Sequence, residues 1–98
     1  MTQVELAPEV QEDLDRILDH LIEHDVGDAS ERVMEIIEAI DVLQHNPHIG
    51  RYALENFREL VIGRSSRGYV ALYTYLEVMN TVVVLAIRSQ KEAGYARM

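Results

Sequence analysis

The sequence predicts an α+β fold in which an N-terminal strand and an antiparallel helical hairpin precede three strands, the hairpin lying on a mostly antiparallel sheet. Three observations predict it. Apolar residues between Pro8 and Leu43 recur at steps of three and four, in two stretches divided at Gly27. From Phe57 onward the pattern changes to runs with strand-like composition and period. The gap between the two helical stretches is so short that the helices must run antiparallel.

Taken in order, Thr2 to Leu6 alternates, with Val4 and Leu6 on one side and Gln3 and Glu5 on the other, as a first strand at a sheet edge would. Pro8 stands at a favoured first position of a helix that runs to about His24 on the stripe Val10, Leu14, Ile17, Leu18, Leu21 and Ile22. Gly27 ends it. Asp28 and Glu31 have the spacing of a capping box for a second helix, whose stripe is Ala29, Val33, Ile36, Ile37, Ile40 and Leu43. Pro47 and Gly50 break the irregular stretch from His45 to Asn56. Three strands follow: Phe57 to Ile62, Tyr69 to Val78, and Thr81 to Arg88, the last two joined tightly around Met79 and Asn80. In the second, Val70, Leu72, Thr74 and Leu76 share one face, and Tyr69, Ala71, Tyr73 and Tyr75 the other. The third is apolar on both faces from Thr81 to Ile87, which suits an interior strand.

Ninety-eight residues are expected to form one domain, residues 1–98, because a chain this short has room for only one sizeable core. The absence of cysteine excludes disulfides and thiolate metal sites and suits a reducing compartment. Met1 to Leu6 lack the start of a signal peptide, and no apolar run approaches a membrane span, so the expectation is a cytoplasmic protein. Charge is divided unevenly. Residues 1–50 carry 13 acidic side chains against Arg16 and Arg32, a net −11, whereas residues 51–98 carry seven basic against four acidic, a net +3. Within an overall charge of −8, which disfavours general nucleic-acid binding, the C-terminal half is the one suited to an anionic partner.

Few motifs carry chemistry. His20-Leu21-Ile22-Glu23-His24 spells H-x-x-E-H on a helix, but a catalytic zinc needs a third protein ligand and a substrate cleft. The expectation is a solvated helix face, with no metal and no cofactor. No G-x-S-x-G elbow occurs, and Gly63-Arg64-Ser65-Ser66-Arg67-Gly68 lacks the Gly-Lys-Ser/Thr ending of a P-loop. That loop does place two guanidinium groups and two hydroxyls at the mouth of a strand hairpin, which leaves two readings open: a solvated turn, or a surface that holds an anion. At the end of the chain Arg88 and Lys91 leave a buried strand and Tyr95 follows, a set suited to phosphate, a base or an acidic protein surface unless it is a frayed tail.

Three phrases, in this order and spacing, carry a resemblance to a known family: Pro47-His48-Ile49-Gly50-Arg51, Phe57-Arg58-Glu59-Leu60-Val61-Ile62-Gly63-Arg64, and Val84-Leu85-Ala86-Ile87-Arg88-Ser89-Gln90-Lys91-Glu92. Over nearly its whole length the chain resembles the RelE/ParE toxins of type II toxin–antitoxin systems. The resemblance implies a toxin neutralised by a cognate antitoxin through a segment that folds onto it. RelE-like members cut messenger RNA in the ribosomal A site; ParE-like members have no known nuclease activity and are regarded as inhibitors of DNA gyrase. RelE-like cleavage relies on basic strand residues and a C-terminal tyrosine, for charge around the phosphate and for proton transfer. Tyr95 matches that tyrosine. Leu60, Val61 and Ile62 stand where lysines are expected, Val70 follows Tyr69 where an arginine is common, and Ser89 stands near the place of another. Arg67, Arg88 and Tyr95 are therefore only a depleted catalytic set, and Arg64, Arg67, Arg88 and Lys91 are the candidate target-binding residues. The expectation is a ParE-like toxin that acts by binding; the alternatives are a ribosome-dependent endonuclease, or an inactive toxin fold kept as an antitoxin partner.

Overall fold

The computed structural model describes residues 1–24, 26–63, 68–92 and 94–96. Its elements are β1 (Gln3–Leu6), α1 (Glu9–Glu23), α2 (Ala29–Ile40), a 3₁₀ turn (Asp41–Gln44), β2 (Arg51–Tyr52), β3 (Phe57–Ile62), β4 (Tyr69–Leu76), a second 3₁₀ turn (Glu77–Met79) and β5 (Thr81–Ser89). The five strands form one sheet in the order β1-β5-β4-β3-β2. The helical hairpin thus leaves the β1 edge and comes back beside it, where the Thr2 N–H donates to the Gln44 carbonyl, and the residues before β2 carry the chain to the opposite edge. β1 runs parallel to β5, and the other pairs are antiparallel.

Helix α1 forms where the sequence places its stripe: Val10, Leu14, Ile17 and Leu21 are buried, and Glu9 and Glu12 in the first turn complement the positive end of the helix dipole. It packs on β5 and α2. Ala29, Ile36 and Ile40 of α2 and Leu43 of the 3₁₀ turn complete the helical side of the core, which meets Leu60, Tyr69, Ala71, Tyr73, Val82, Val84 and Ile87 of the sheet. One expectation fails at the start of α2. Asp28 is the N-cap, but its side chain makes no capping hydrogen bond, because a backbone at φ −109, ψ 32 departs from the extended geometry that aims a cap at the helix amides. Only its carbonyl serves the helix, accepting from the Arg32 N–H.

The short strand β2 is an addition to the sequence reading: Arg51 and Tyr52 pair with Glu59 and Arg58 inside the stretch expected to be irregular. Two residues carry too little periodicity to register as a strand. The β4–β5 connection turns at Asn80, which adopts the left-handed conformation (φ 47) open to asparagine. The side-chain oxygen of Asn80 accepts from the Tyr75 and Thr2 hydroxyls, so the turn also holds the start of β1.

A register shift between Leu72 and Tyr73 makes Leu85 the extra residue of β5, since Leu72 pairs with Ala86 and Tyr73 with Val84. The shift reverses the alternation. Val82 and Val84 face the helices before it, and Ile87 faces them after it. β1 stops opposite Val84, so the outer edge of β5 beyond that point lacks a strand partner. Side chains of α1 take its place: Asp13, only 2% exposed, accepts from the Ile87 N–H at 2.9 Å, and Arg16 donates to the Ile87 carbonyl at 3.2 Å.

Candidate functional site

The pleat puts Val61, Val70 and Arg88 in one cross-strand row and Arg51, Glu59, Leu72 and Ala86 in the next, on the face turned away from the helices. Arg88 is not the exposed cation that the end of a strand suggests. It is 16% exposed and donates to the carbonyls of Ser89 and Glu92, which hold the chain end in a turn. Its guanidinium lies 5.1 Å from the Tyr95 ring and 3.9 Å from a Glu59 carboxylate oxygen. Glu92 and Tyr95 are therefore folded back against the sheet at Arg88, not frayed.

Glu59 is the centre of this cluster. Its carboxylate accepts from the Tyr95 hydroxyl at 2.5 Å and from Arg51 at 3.1 Å. Burial alone would raise the Glu59 pKa, but the hydrogen bonds from Tyr95 and Arg51 and the charges of Arg51 and Arg88 outweigh it and hold the group below its ordinary value. Tyr95 moves the other way: burial, then its bond to the Glu59 carboxylate and that charge, push the phenol far above the usual tyrosine range. Beside the cluster lies a cavity of about 120 Å³ lined by Arg51, Val61, Val70, Arg88 and Gln90. The Arg88 Nε and Gln90 Nε2 donors are buried without a partner among the described residues. Gln90 also rests on Gly68 so closely that a Cβ there would lie 2.1 Å from its amide nitrogen.

The opposite pKa shifts predict a stability profile. A lowered Glu59 pKa adds stability that is complete above the ordinary carboxylate value and is lost as pH falls through the folded pKa. A raised Tyr95 pKa adds stability that is complete below about pH 10, the ordinary tyrosine value, and is lost as pH rises beyond it. Tyr95→Phe should flatten both limbs: the alkaline one because the phenol is gone, and the acid one because Glu59, having lost a donor, keeps a folded pKa closer to its ordinary value. Thermal midpoints of parent and variant against pH test this, and parallel curves at every pH would refute the contact.

Of the other candidates, Lys91 lies apart from Arg88, lining a larger cavity on the helical side with Arg16 and Tyr69. Arg64 and Arg67, with Ser65 and Ser66 between them, lie outside the described residues. Gly68, the last residue of the stretch that begins at Gly63, does adjoin the end of β5: Tyr69 pairs with Ser89, and the Gln90 N–H donates to the Gly68 carbonyl. His20 and His24 stack with centroids 4.2 Å apart, and no group of three or more metal-ligating side chains occurs among the described residues. Among the described residues, no helix is long and apolar enough to cross a membrane.

Two phrases of the sequence acquire structural reasons. The buried Tyr73 hydroxyl donates to the Pro47 carbonyl and accepts from the Gly50 N–H, with burial raising its pKa against the Gly50 bond and the charge of Arg58. Arg58 donates to the carbonyls of His48 and Gly50 and covers the Tyr52 ring at 4.0 Å. Pro47 to Arg51 and Phe57 to Leu60 are thus halves of one clamp. Glu59 and Arg51 belong to those phrases, but nothing in the sequence marks them as site residues; their place opposite each other on neighbouring strands emerges only with β2.

The same fold occurs in a chain of the chromosomal ParDE TA system from P. aeruginosa, at TM-score 0.76 and 24% identity over 91% of this chain and 96% of that one. It occurs also in the intact E. coli RelBE toxin–antitoxin complex, at TM-score 0.66 and 13% identity over 94% of this chain and 100% of that one. The isolated E. coli RelE toxin matches at TM-score 0.66 and 12% identity, over 95% of this chain and 88% of that one. No curated sequence matches this chain. The family model of the ParE toxin of type II toxin–antitoxin system, parDE, matches residues 4–94, from the first strand to the segment that folds back over Arg88, and the chain belongs to that family.

Proposed function

We propose that this toxin inhibits growth by binding DNA gyrase, without cutting RNA, and that a cognate antitoxin neutralises it in the cytoplasm. The observation that carries this reading is the position of Glu59. RNA cleavage by 2′-OH attack needs uncompensated positive charge at the phosphate and a group able to move a proton. Here a carboxylate occupies the middle of the cationic cluster, and Val61 and Val70 wall the cavity beside it. Tyr95, its pKa raised far above neutrality and its proton committed to Glu59, is a poor base. An antitoxin partner is supported by the two-component systems named for the structural relatives and by apolar side chains left exposed, Ile22 and Met34 on the helices and Leu54 and Tyr52 by the outer edge.

Target contact is assigned to the open face around Arg88 and Arg51, together with Arg64 and Arg67 of the stretch between Gly63 and Gly68. Lys91 lines the cavity on the other side. Purified toxin should lower gyrase supercoiling while leaving messenger intact on translating ribosomes. Arg64→Ala with Arg67→Ala should weaken the inhibition without moving the thermal midpoint. Discrete messenger cuts that disappear in Tyr95→Phe, with gyrase unimpaired, would reverse the assignment in favour of a nuclease. A toxin inert in both assays, yet bound by the product of a flanking reading frame, would instead mark an inactive antitoxin-binding partner.

A further inference from the structure

A second, roomier cavity belongs to neither the open face nor the clamp. It lies beside the C-terminal half of α1, has a volume of about 670 Å³, and is floored by Ile17, Leu21, Val26 and Tyr69. Its rim is basic: Arg16, His20, His24, Arg32 and Lys91 line it, against Glu92. Glu92 is already committed to Arg16, at 2.6 Å. Arg32 and Lys91 have no carboxylate partner among the described residues.

The placement of these cations runs against the charge of their surroundings. Residues 1–50 carry 13 acidic groups and only two arginines, and both arginines line this one cavity. Arg16 has a structural reason to be there, since it serves the Ile87 carbonyl. Arg32 has none: its side chain makes no hydrogen bond or ion pair among the described residues. The Tyr69 hydroxyl likewise has no partner among them, although the residue is only 7% exposed. An apolar floor, a hydroxyl and two cations without a carboxylate partner among the described residues converge on a space within the ~300–1,000 Å³ of small-molecule sites.

We infer that this cavity binds a small organic anion with an apolar body, a carboxylate or phosphate ester whose charged end meets Arg32 and Lys91 while an aromatic or branched hydrocarbon lies on Leu21, Val26 and Tyr69. A bare inorganic ion would leave the apolar floor wet, and a neutral hydrocarbon would leave the cations unanswered. This site goes beyond the toxin reading and does not depend on it.

The probe is 8-anilinonaphthalene-1-sulfonate, an aryl sulfonate of the inferred chemistry, added to the folded chain alone. Saturable binding at one site is expected, with amide shifts confined to Leu21, Val26, Tyr69 and Ser89. Its uncharged analogue N-phenyl-1-naphthylamine should bind about tenfold more weakly, the loss expected when one good charge contact is removed. Arg32→Glu should weaken the sulfonate by at least about the same factor, and Arg32→Gln by less, both with a nearly unchanged thermal midpoint because the Arg32 side chain makes no hydrogen bond or ion pair among the described residues. Equal affinity of parent and Arg32→Glu, equal affinity of the charged and neutral probes, or shifts centred on the exposed Val78 and Met79 would overturn the inference. If the Arg32→Glu midpoint falls, the neutral-probe comparison on the parent chain decides alone.

Discussion

Replacing Gly50 with alanine is expected to destabilise the chain by about 3 kcal/mol or more, a large part of the ~5–15 kcal/mol that holds a typical domain folded. A Cβ at this position would lie 2.6 Å from both Cε1 and the hydroxyl of Tyr73, and 2.8 Å from the backbone carbonyl of Glu59. Neither neighbour yields easily. Tyr73 is fully buried, and the Glu59 carbonyl belongs to a strand paired on both sides. Relieving the clash separates the Gly50 N–H from the Tyr73 hydroxyl, and with it the bond to Pro47. The damage should therefore overlap with that of Tyr73→Phe, which strips the same hydrogen bonds, so the double variant should lose less than the sum of the two. Urea denaturation of the four proteins measures this cycle. A Gly50→Ala chain within about 0.5 kcal/mol of the parent would show that the clamp is not rigid.

Asp13→Ala should cost about 3 kcal/mol, because it leaves the buried Ile87 amide without its charged acceptor and takes from Arg16 one of its two carboxylate partners. The Ile87 N–H would lose its acceptor inside the protein, and Arg16 the carboxylate 3.7 Å away. For a domain of this size that corresponds to a fall in thermal midpoint of roughly 12–24 °C. Asp13→Asn keeps an acceptor oxygen and should lose clearly less. In hydrogen exchange the Ile87 amide should lose protection before the amides of β4, since the loss is confined to the outer edge of β5. An Ala variant as stable as the Asn variant would remove Asp13 from the edge contact.

Asp13 is partly legible in the sequence alone. It falls three residues after Val10 and one before Leu14, on the apolar stripe of α1, where a carboxylate needs a buried partner. The sequence cannot say that the partner is a backbone amide 74 residues away, freed by a β-bulge and by the early end of β1. The bulge itself is hidden because residues 81–87 are apolar on both faces, so a one-residue slip leaves the pattern unchanged. Arg88 and Tyr95 are legible as chemistry by residue type and position. Glu59 is not: a lone acid in an alternating strand has the spelling of a solvated side chain, and only the fold-back of the chain end gives it Tyr95 and Arg88 as partners.

By itself the sequence determined the order and type of the main elements, the hairpin of helices and the division of charge, because these rest on local periodicity and turn chemistry, which need only neighbours along the chain. The tertiary structure alone decided that β1 runs parallel to β5, that Arg88 is covered and paired, that Lys91 lies on the other side, and that Arg16 and Arg32 share a cavity with Tyr69. Each of these depends on groups brought together from distant parts of the chain. Cross-strand register and the path of the chain end determine such contacts, and neither leaves a periodic trace in the residues themselves.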